Sequence, residues 1–202
     1  KLPVEKQKAV IGLYGSGADY YKLKGIVEKL LDILNTAEYD IIAVSDNPTF
    51  HPGRTAQFKI GDAVLATLGE VHPEAAENYG IGERVYIAEI DVETAYANRM
   101  PQRTHKPLPK FPAVTRDLAF VCDRDIPVLT LEKEIKEAVG KTLENVKLFD
   151  VYEGEQIESG KKSVAFNIQM RSADRTLTDE EADAAVKRVI KALSKHGISL
   201  RS

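Results

Sequence analysis

A single cysteine, Cys122, in a chain of 202 residues excludes an internal disulfide. It falls inside the apolar run LAFVC, where a small buried hydrophobe is expected, so a core role is favoured over a reactive one. No apolar stretch approaches the ~20 residues that cross a bilayer, and no signal-peptide pattern is present. Without a disulfide framework, a reducing cytoplasmic setting and no membrane contact are the expectation. Charge of one sign is scarce as well. The formal net charge is −3 with 29% charged residues, and no block of like charge suggests a basic arm or an acidic tail. What is present, 43% hydrophobic residues, suffices for one large core or two modest ones. The chain begins at Lys1 within a charged phrase, which suggests a piece of a longer polypeptide.

Catalytic and metal patterns are missing too. His51, His72, His105 and His196 are scattered, and none lies at an accepted spacing from another zinc-ligand type, so no metal is expected. No serine or cysteine nucleophile can be given a base and an orienting acid from spacing, so no catalytic residue is assigned. Glycines 12, 15 and 17 invite a dinucleotide-loop reading, but Tyr20 stands where the third glycine belongs. A turn between a strand and a helix is the ordinary alternative.

Periodicity supplies the organisation. Between Tyr96 and Pro112 the phrase YANRMPQRTHKPLPKFP has four prolines and no hydrophobic period, and reads as an extended joint. It separates a first segment, 1–95, from a linker, 96–108, and a second segment, 109–202. The second segment carries 16 basic and 16 acidic residues and is neutral. In the first, a short apolar run ends at Gly15. Leu23, Ile26, Val27, Leu30, Leu31 and Leu34 then mark one face of a helix from about Tyr20 to Leu34. YDIIAVSD follows, then NPTFHPGR as a loop, two strands turning at Gly61 and Asp62, the polar stretch PEAAENYGIGE, and a strand over 84–92.

The second segment reads β-α-β-β-α-β. Its strands are expected at 117–123, 145–153 and 164–171 and at ISLR, and its helices at about Thr130–Val139 and after Thr178. Thr178 and Glu181 form a capping-box signature, and Ala182, Val186, Val189, Ile190 and Leu193 form the stripe that ends at Gly197. That order predicts an α+β fold with two helices on one face of a four-stranded antiparallel sheet. The other face stays available to a partner, a geometry on which RNA-binding modules stack bases against aromatics.

Candidate site residues follow, each with a plainer alternative. Arg54, beside His51 in HPGRTA, could clamp a carboxylate or phosphate, or it could pair with a neighbouring acid in a structural turn. Glu70 and His72 in GEVHPE are read as bracing their loop. Phe149, Asp150 and Tyr152 end the second strand beside a glycine-bearing loop. There an aromatic could stack on a base and a carboxylate could accept from exocyclic amines, or Phe149 could be core and Tyr152 a rim residue. Lys161, Lys162, Arg171 and Arg175 are candidate phosphate contacts, or solvated surface charge.

Three phrases, FPAVTRDLAF, LFDVYEGEQIESGKKSVAF and RTLTDEEAD, occur in that order, and HPGRTA and GEVHP precede them. Together they resemble the family of bacterial phenylalanine–tRNA ligase beta subunits, whose last domain is a ferredoxin-fold anticodon-binding module. The resemblance implies that 1–95 is the later half of a class II synthetase-like antiparallel core without catalytic residues. It implies that 109–202 binds the anticodon stem-loop of phenylalanine tRNA. Residue by residue, it makes Tyr152 the base-stacking candidate and Asp150 a polar reader, with Ser163 and Ala119 lining the same surface. His51 and Arg54 become a structural or interface loop. The implied partners are the tRNA and the catalytic alpha subunit, in an assembly of two alpha and two beta chains. ATP and Mg2+ serve the whole enzyme and are not expected on this chain, which alone is expected to be inactive. The alternative from a different class is a subunit-interaction scaffold with little direct tRNA contact.

Overall fold

The computed structural model describes residues 3, 5–101 and 108–201. The chain divides into two compact units, Lys1–His105 and Lys106–Ser202. Both are built on antiparallel sheets, so the α+β expectation holds.

The first unit contains β1 (Lys8–Tyr14), α1 (Tyr20–Ile33), β2 (Asp40–Ala43), β3 (Phe50–Ile60), β4 (Ala63–Val71), α2 (Pro73–Asn78), β5 (Val85–Asp91) and α3 (Val92–Ala97). Its strands lie in the order β1-β5-β4-β3-β2. The three- and four-residue spacing of Leu23, Val27 and Leu31 puts them on one face of α1, and that face is sealed against Phe58, Leu65, Ala66, Leu68, Ala88 and Ile90. Asp19 caps α1 by accepting from the Lys22 backbone N–H at 2.7 Å. The helix ends where Asn35 takes a left-handed φ of 55° and the Thr36 N–H reaches back to the Leu31 carbonyl at 3.0 Å. The glycine run before α1 is a turn in which Gly15 and Gly17 have φ of 82° and 79°.

Three local expectations change. The HPGR stretch is not a loop: it lies within β3, whose pairing passes from Phe50↔Val71 to Thr55↔Gly69, so residues 51–54 bulge out opposite Glu70. A bulge tolerates Pro52 because no ladder donor is needed there. The polar stretch after β4 begins as a helix, α2, with Pro73 in its first turn and the His72 Nδ1 accepting from the Glu74 N–H at 3.3 Å. The start of the proline-rich joint is tied down. Its residues 96 and 97 close α3, which begins at Val92, and Asn35 Nδ2 then donates to the carbonyls of Met100 and Pro101, each at 3.0 Å.

The second unit contains β6 (Val114–Asp123), α4 (Val128–Val139), β7 (Leu143–Tyr152), β8 (Lys161–Met170), α5 (Asp179–Ser194) and β9 (Ser199–Leu200). The strand order β7-β8-β6-β9 follows from two β-α-β halves interleaved, the ferredoxin arrangement. Leu131, Ile135 and Val139 of α4 and Ala182, Ala185, Val189 and Leu193 of α5 close over Phe120, Cys122, Val164, Phe166, Ile168 and Met170. Ala185, not Val186, is thus the buried member of the α5 stripe. The capping box at Thr178 and Glu181 is formed in both directions. Cys122 is buried in this core, and burial pushes its thiol pKa up, as an inert packing residue requires.

Candidate functional site

Every second residue of β6 and β8 faces the helices: Phe120 and Cys122 on one strand, Val164, Phe166, Ile168 and Met170 on the other. Their neighbours face the uncovered side. Cross-strand pairing arranges that side in rows, because paired residues share a face. One row is Ala119–Ala165–Asp150, and the next is Val121–Ser163–Tyr152. Ala119, Asp150, Ser163 and Tyr152 therefore come from three strands and two adjacent rows into one patch.

A bulge in β7 makes this possible. Val146 pairs with Ile168 and Leu148 with Phe166, both on the helix side, and strict alternation would carry Asp150 and Tyr152 to that side too. The register slips between Leu148 and Asp150, leaving Phe149 as the extra residue. Phe149 is consequently 55% exposed rather than core, and Asp150 and Tyr152 are delivered to the open face. Asp150 has no hydrogen-bond or ion-pair partner among the described residues.

Tyr152 is held by two features that pattern reading missed. A Cβ built on Gly154 would lie 2.6 Å from the Tyr152 Cζ and 3.2 Å from its Cε1, so the ring packs directly over this glycine and any side chain there would displace it. Arg201 comes from beyond β9, with its guanidinium 5.6 Å from the ring centroid. The Arg201 N–H donates to the Ala119 carbonyl at 2.8 Å, Nη1 to the Ser163 Oγ at 3.4 Å and Nη2 to the Gln156 Oε1 at 3.1 Å. The β-α-β-β-α-β order contained the signal for Arg201, since it lays the last strand beside the first.

The candidate phosphate contacts lie elsewhere. Lys162 is on the helix side of β8, 9% exposed, and its Nζ donates to the Arg124 carbonyl at 2.8 Å. Arg171, past the far end of β8 from Tyr152, pairs with Glu144 at 2.9 Å and with the Phe111 carbonyl. Lys161 pairs with Glu158 at 2.7 Å, and Arg175 takes Glu181 through its two terminal guanidinium nitrogens. The structure gives each of the four a protein partner: Lys161 lies on the open face one row beyond Ser163, where Glu158 takes its charge, and the other three lie outside the Tyr152–Asp150 patch.

In the first unit, Arg54 Nη1 meets the Glu70 Oε2 at 2.6 Å, and Arg84 Nε stands 3.8 Å from the Glu70 Oε1. Glu70 is 5% exposed, so the arginine pairs with a buried neighbouring acid. The His51 carbonyl accepts from the Thr55 hydroxyl at 2.7 Å and its Nδ1 from the Gly53 N–H at 3.1 Å, closing the bulge on itself. These groups line a cavity of about 420 Å3 with Pro73, Ala76 and residues 81–85. Among the described residues no three or more metal-type side chains converge; His196 pairs with Glu134 at 3.0 Å, and His105 lies outside those residues. No described helix is long and apolar enough to cross a membrane.

Comparison with known proteins agrees with this architecture. Residues 109–201 match the ferredoxin-fold anticodon binding domain family, and residues 1–92 match the phenylalanyl tRNA synthetase beta chain CLM domain. The phenylalanine–tRNA ligase beta subunit of Clostridium acetobutylicum is 47% identical over 193 residues, covering 96% of this chain and 24% of that protein. The one from Clostridium tetani is 44% identical over 201 residues (99% and 25%), and the one from Bacillus subtilis 40% over 202 (95% and 25%). The chain spans about a quarter of the length of these curated relatives.

Proposed function

Because the chain belongs to the family of phenylalanine–tRNA ligase beta subunits and includes its ferredoxin-fold anticodon-binding domain, we propose that the open face of the second unit binds the anticodon stem-loop of phenylalanine tRNA. The observation that carries this reading is the convergence of Tyr152, Asp150, Ser163 and Ala119 in two adjacent rows of one uncovered sheet face. Tyr152 offers a ring against which an unstacked base gains roughly 1–3 kcal/mol. Asp150, exposed and unpaired among the described residues, accepts from exocyclic amines of a base. Ala119 and Ala165 keep the floor between them low enough for a flat base. With equal numbers of acidic and basic residues in this segment, recognition rests on stacking and shape rather than on bulk charge.

In the same reading this chain is a non-catalytic piece of the beta subunit of a ligase built from two alpha and two beta chains. The catalytic alpha subunit attaches phenylalanine to tRNA with ATP and Mg2+ in the cytoplasm. No chemical step is assigned to the residues of this chain.

Titration of the chain with phenylalanine tRNA, and with the same tRNA carrying a changed anticodon, tests the proposal. Weaker binding of the changed tRNA is expected. Equal affinity for both, or no binding at low salt, would overturn it.

A second reading, a scaffold for the alpha subunit, is favoured by the apolar surface of the first unit. Val10 and Tyr14 on β1 are 68% and 78% exposed, and Tyr14 lines a shallow apolar cavity of about 410 Å3 with Ile81 and Val85. The two readings separate on Tyr152→Ala. Loss of aminoacylation with assembly intact supports anticodon binding, and unchanged aminoacylation supports the scaffold.

A further inference from the structure

We infer that Arg201 is a phosphate contact of the open face, meeting the backbone of a single-stranded RNA loop whose base lies against Tyr152. The inference rests on the anticodon-binding reading of that face and adds to it a residue and an electrostatic role. Arg116, Arg124, Arg171 and Arg175 each spend their charge on a carboxylate within the second unit. Arg201 has no carboxylate partner among the described residues, and its side-chain acceptors, Ser163 and Gln156, are neutral. Neutral acceptors orient a guanidinium without cancelling its charge. Two of its five N–H groups are used in this way, and the remaining donors stay available for an anionic oxygen.

The placement is rigid as well. β9 pairs with β6 through Phe120↔Leu200 and Val121↔Ser199, and the Arg201 N–H is pinned to the Ala119 carbonyl at 2.8 Å. The side chain then crosses the face to Ser163 and stands 5.6 Å from the Tyr152 centroid. A ring for a base and a fixed, uncompensated cation beside it are the two elements that single-strand binding requires: stacking for the base and charge for its backbone. Two other cations share the face: Lys161, one row from Ser163, is paired with Glu158, and Lys147 stands in the row of Asp117 and Asn167, two rows from Tyr152, so the Arg201 charge is the one held against the ring.

The test is the salt dependence of binding of a labelled anticodon stem-loop RNA of phenylalanine tRNA to the complete chain. Wild type is compared with R201Q, R201M, R201K and Y152A, each checked by thermal melting. Removing one phosphate contact lowers the slope of log affinity against log salt by about 0.7–0.9. R201Q and R201M are expected to show that loss and to bind about tenfold more weakly at low salt. R201K retains the slope, because it keeps the charge, while Y152A weakens binding with the slope unchanged. Wild-type slope in both R201Q and R201M, with RNA still bound, would overturn the role of Arg201 and leave the anticodon reading standing. Failure of the wild-type chain to bind the RNA at any salt would overturn both.

Discussion

Gly154→Ala separates the position of Tyr152 from its presence. Gly154 is not among the glycines with positive φ, so its backbone accepts an alanine without strain. The new Cβ, however, would sit 2.6 Å from Cζ and 3.2 Å from Cε1 of Tyr152, against an ordinary carbon contact of about 3.5–4.0 Å. The clash is with the outer end of a half-buried side chain and not with backbone, so the ring swings away by roughly 1 Å and the fold stays intact. Stability should change by no more than about 0.5 kcal/mol. A stack worth roughly 1–3 kcal/mol depends on face-to-face placement, and losing about 1.4 kcal/mol of it weakens binding about tenfold. Fluorescence anisotropy with the anticodon stem-loop reads this, with thermal melting as the control. A double-mutant cycle sharpens it: in a Y152A background the same glycine substitution should cost nothing, because its effect passes through the ring. An undiminished affinity in G154A, or an equal loss with and without Tyr152, would refute the placement argument.

Two further perturbations address the scaffold. R54A leaves the buried Glu70 carboxylate with only Arg84, at 3.8 Å, and should destabilise the first unit by about 2 kcal/mol in urea unfolding. That is less than a fully buried pair would cost because Arg54 is itself partly exposed. E70Q, which removes the charge, should be milder, and the reverse order would contradict the account. Glu181 is held down to about 2 from the ordinary carboxylate value of 4.5, first by the Arg175 side chain and then by the Thr178 N–H. A carboxyl depressed in the folded state contributes stability that is fully present above 4.5 and lost as pH falls toward about 2. A carboxyl-detected NMR titration should give that low midpoint and R175A should raise it, whereas a wild-type midpoint near 4.5 would count against the pairing.

Much of the fold is legible because elements obey two periods. Leu23, Val27 and Leu31 at helical spacing, and Val164, Phe166, Ile168 and Met170 at spacing two, determine which faces are buried before any long-range contact is known. The capping box at Thr178 and Glu181 is legible for the same reason, since cap chemistry is local. The helix α2 was hidden because its sequence is polar and its start signal is a histidine cap. The HPGR stretch was hidden because Pro and Gly read as loop in isolation, and only pairing with β4 shows them inside a strand.

The site divides along the same line. Local pattern alone sets which residues stand at the end of β7, and that a four-stranded sheet leaves one face uncovered. Which side Asp150 and Tyr152 occupy was decided by the register slip at Phe149, which inverts the alternation set by Val146 and Leu148. That Arg201 stands beside Tyr152 was decided by β9 closing against β6, about eighty residues away along the chain. Register and strand closure are non-local choices, settled only when the buried faces of β6, β7 and β8 compete for the same two helices.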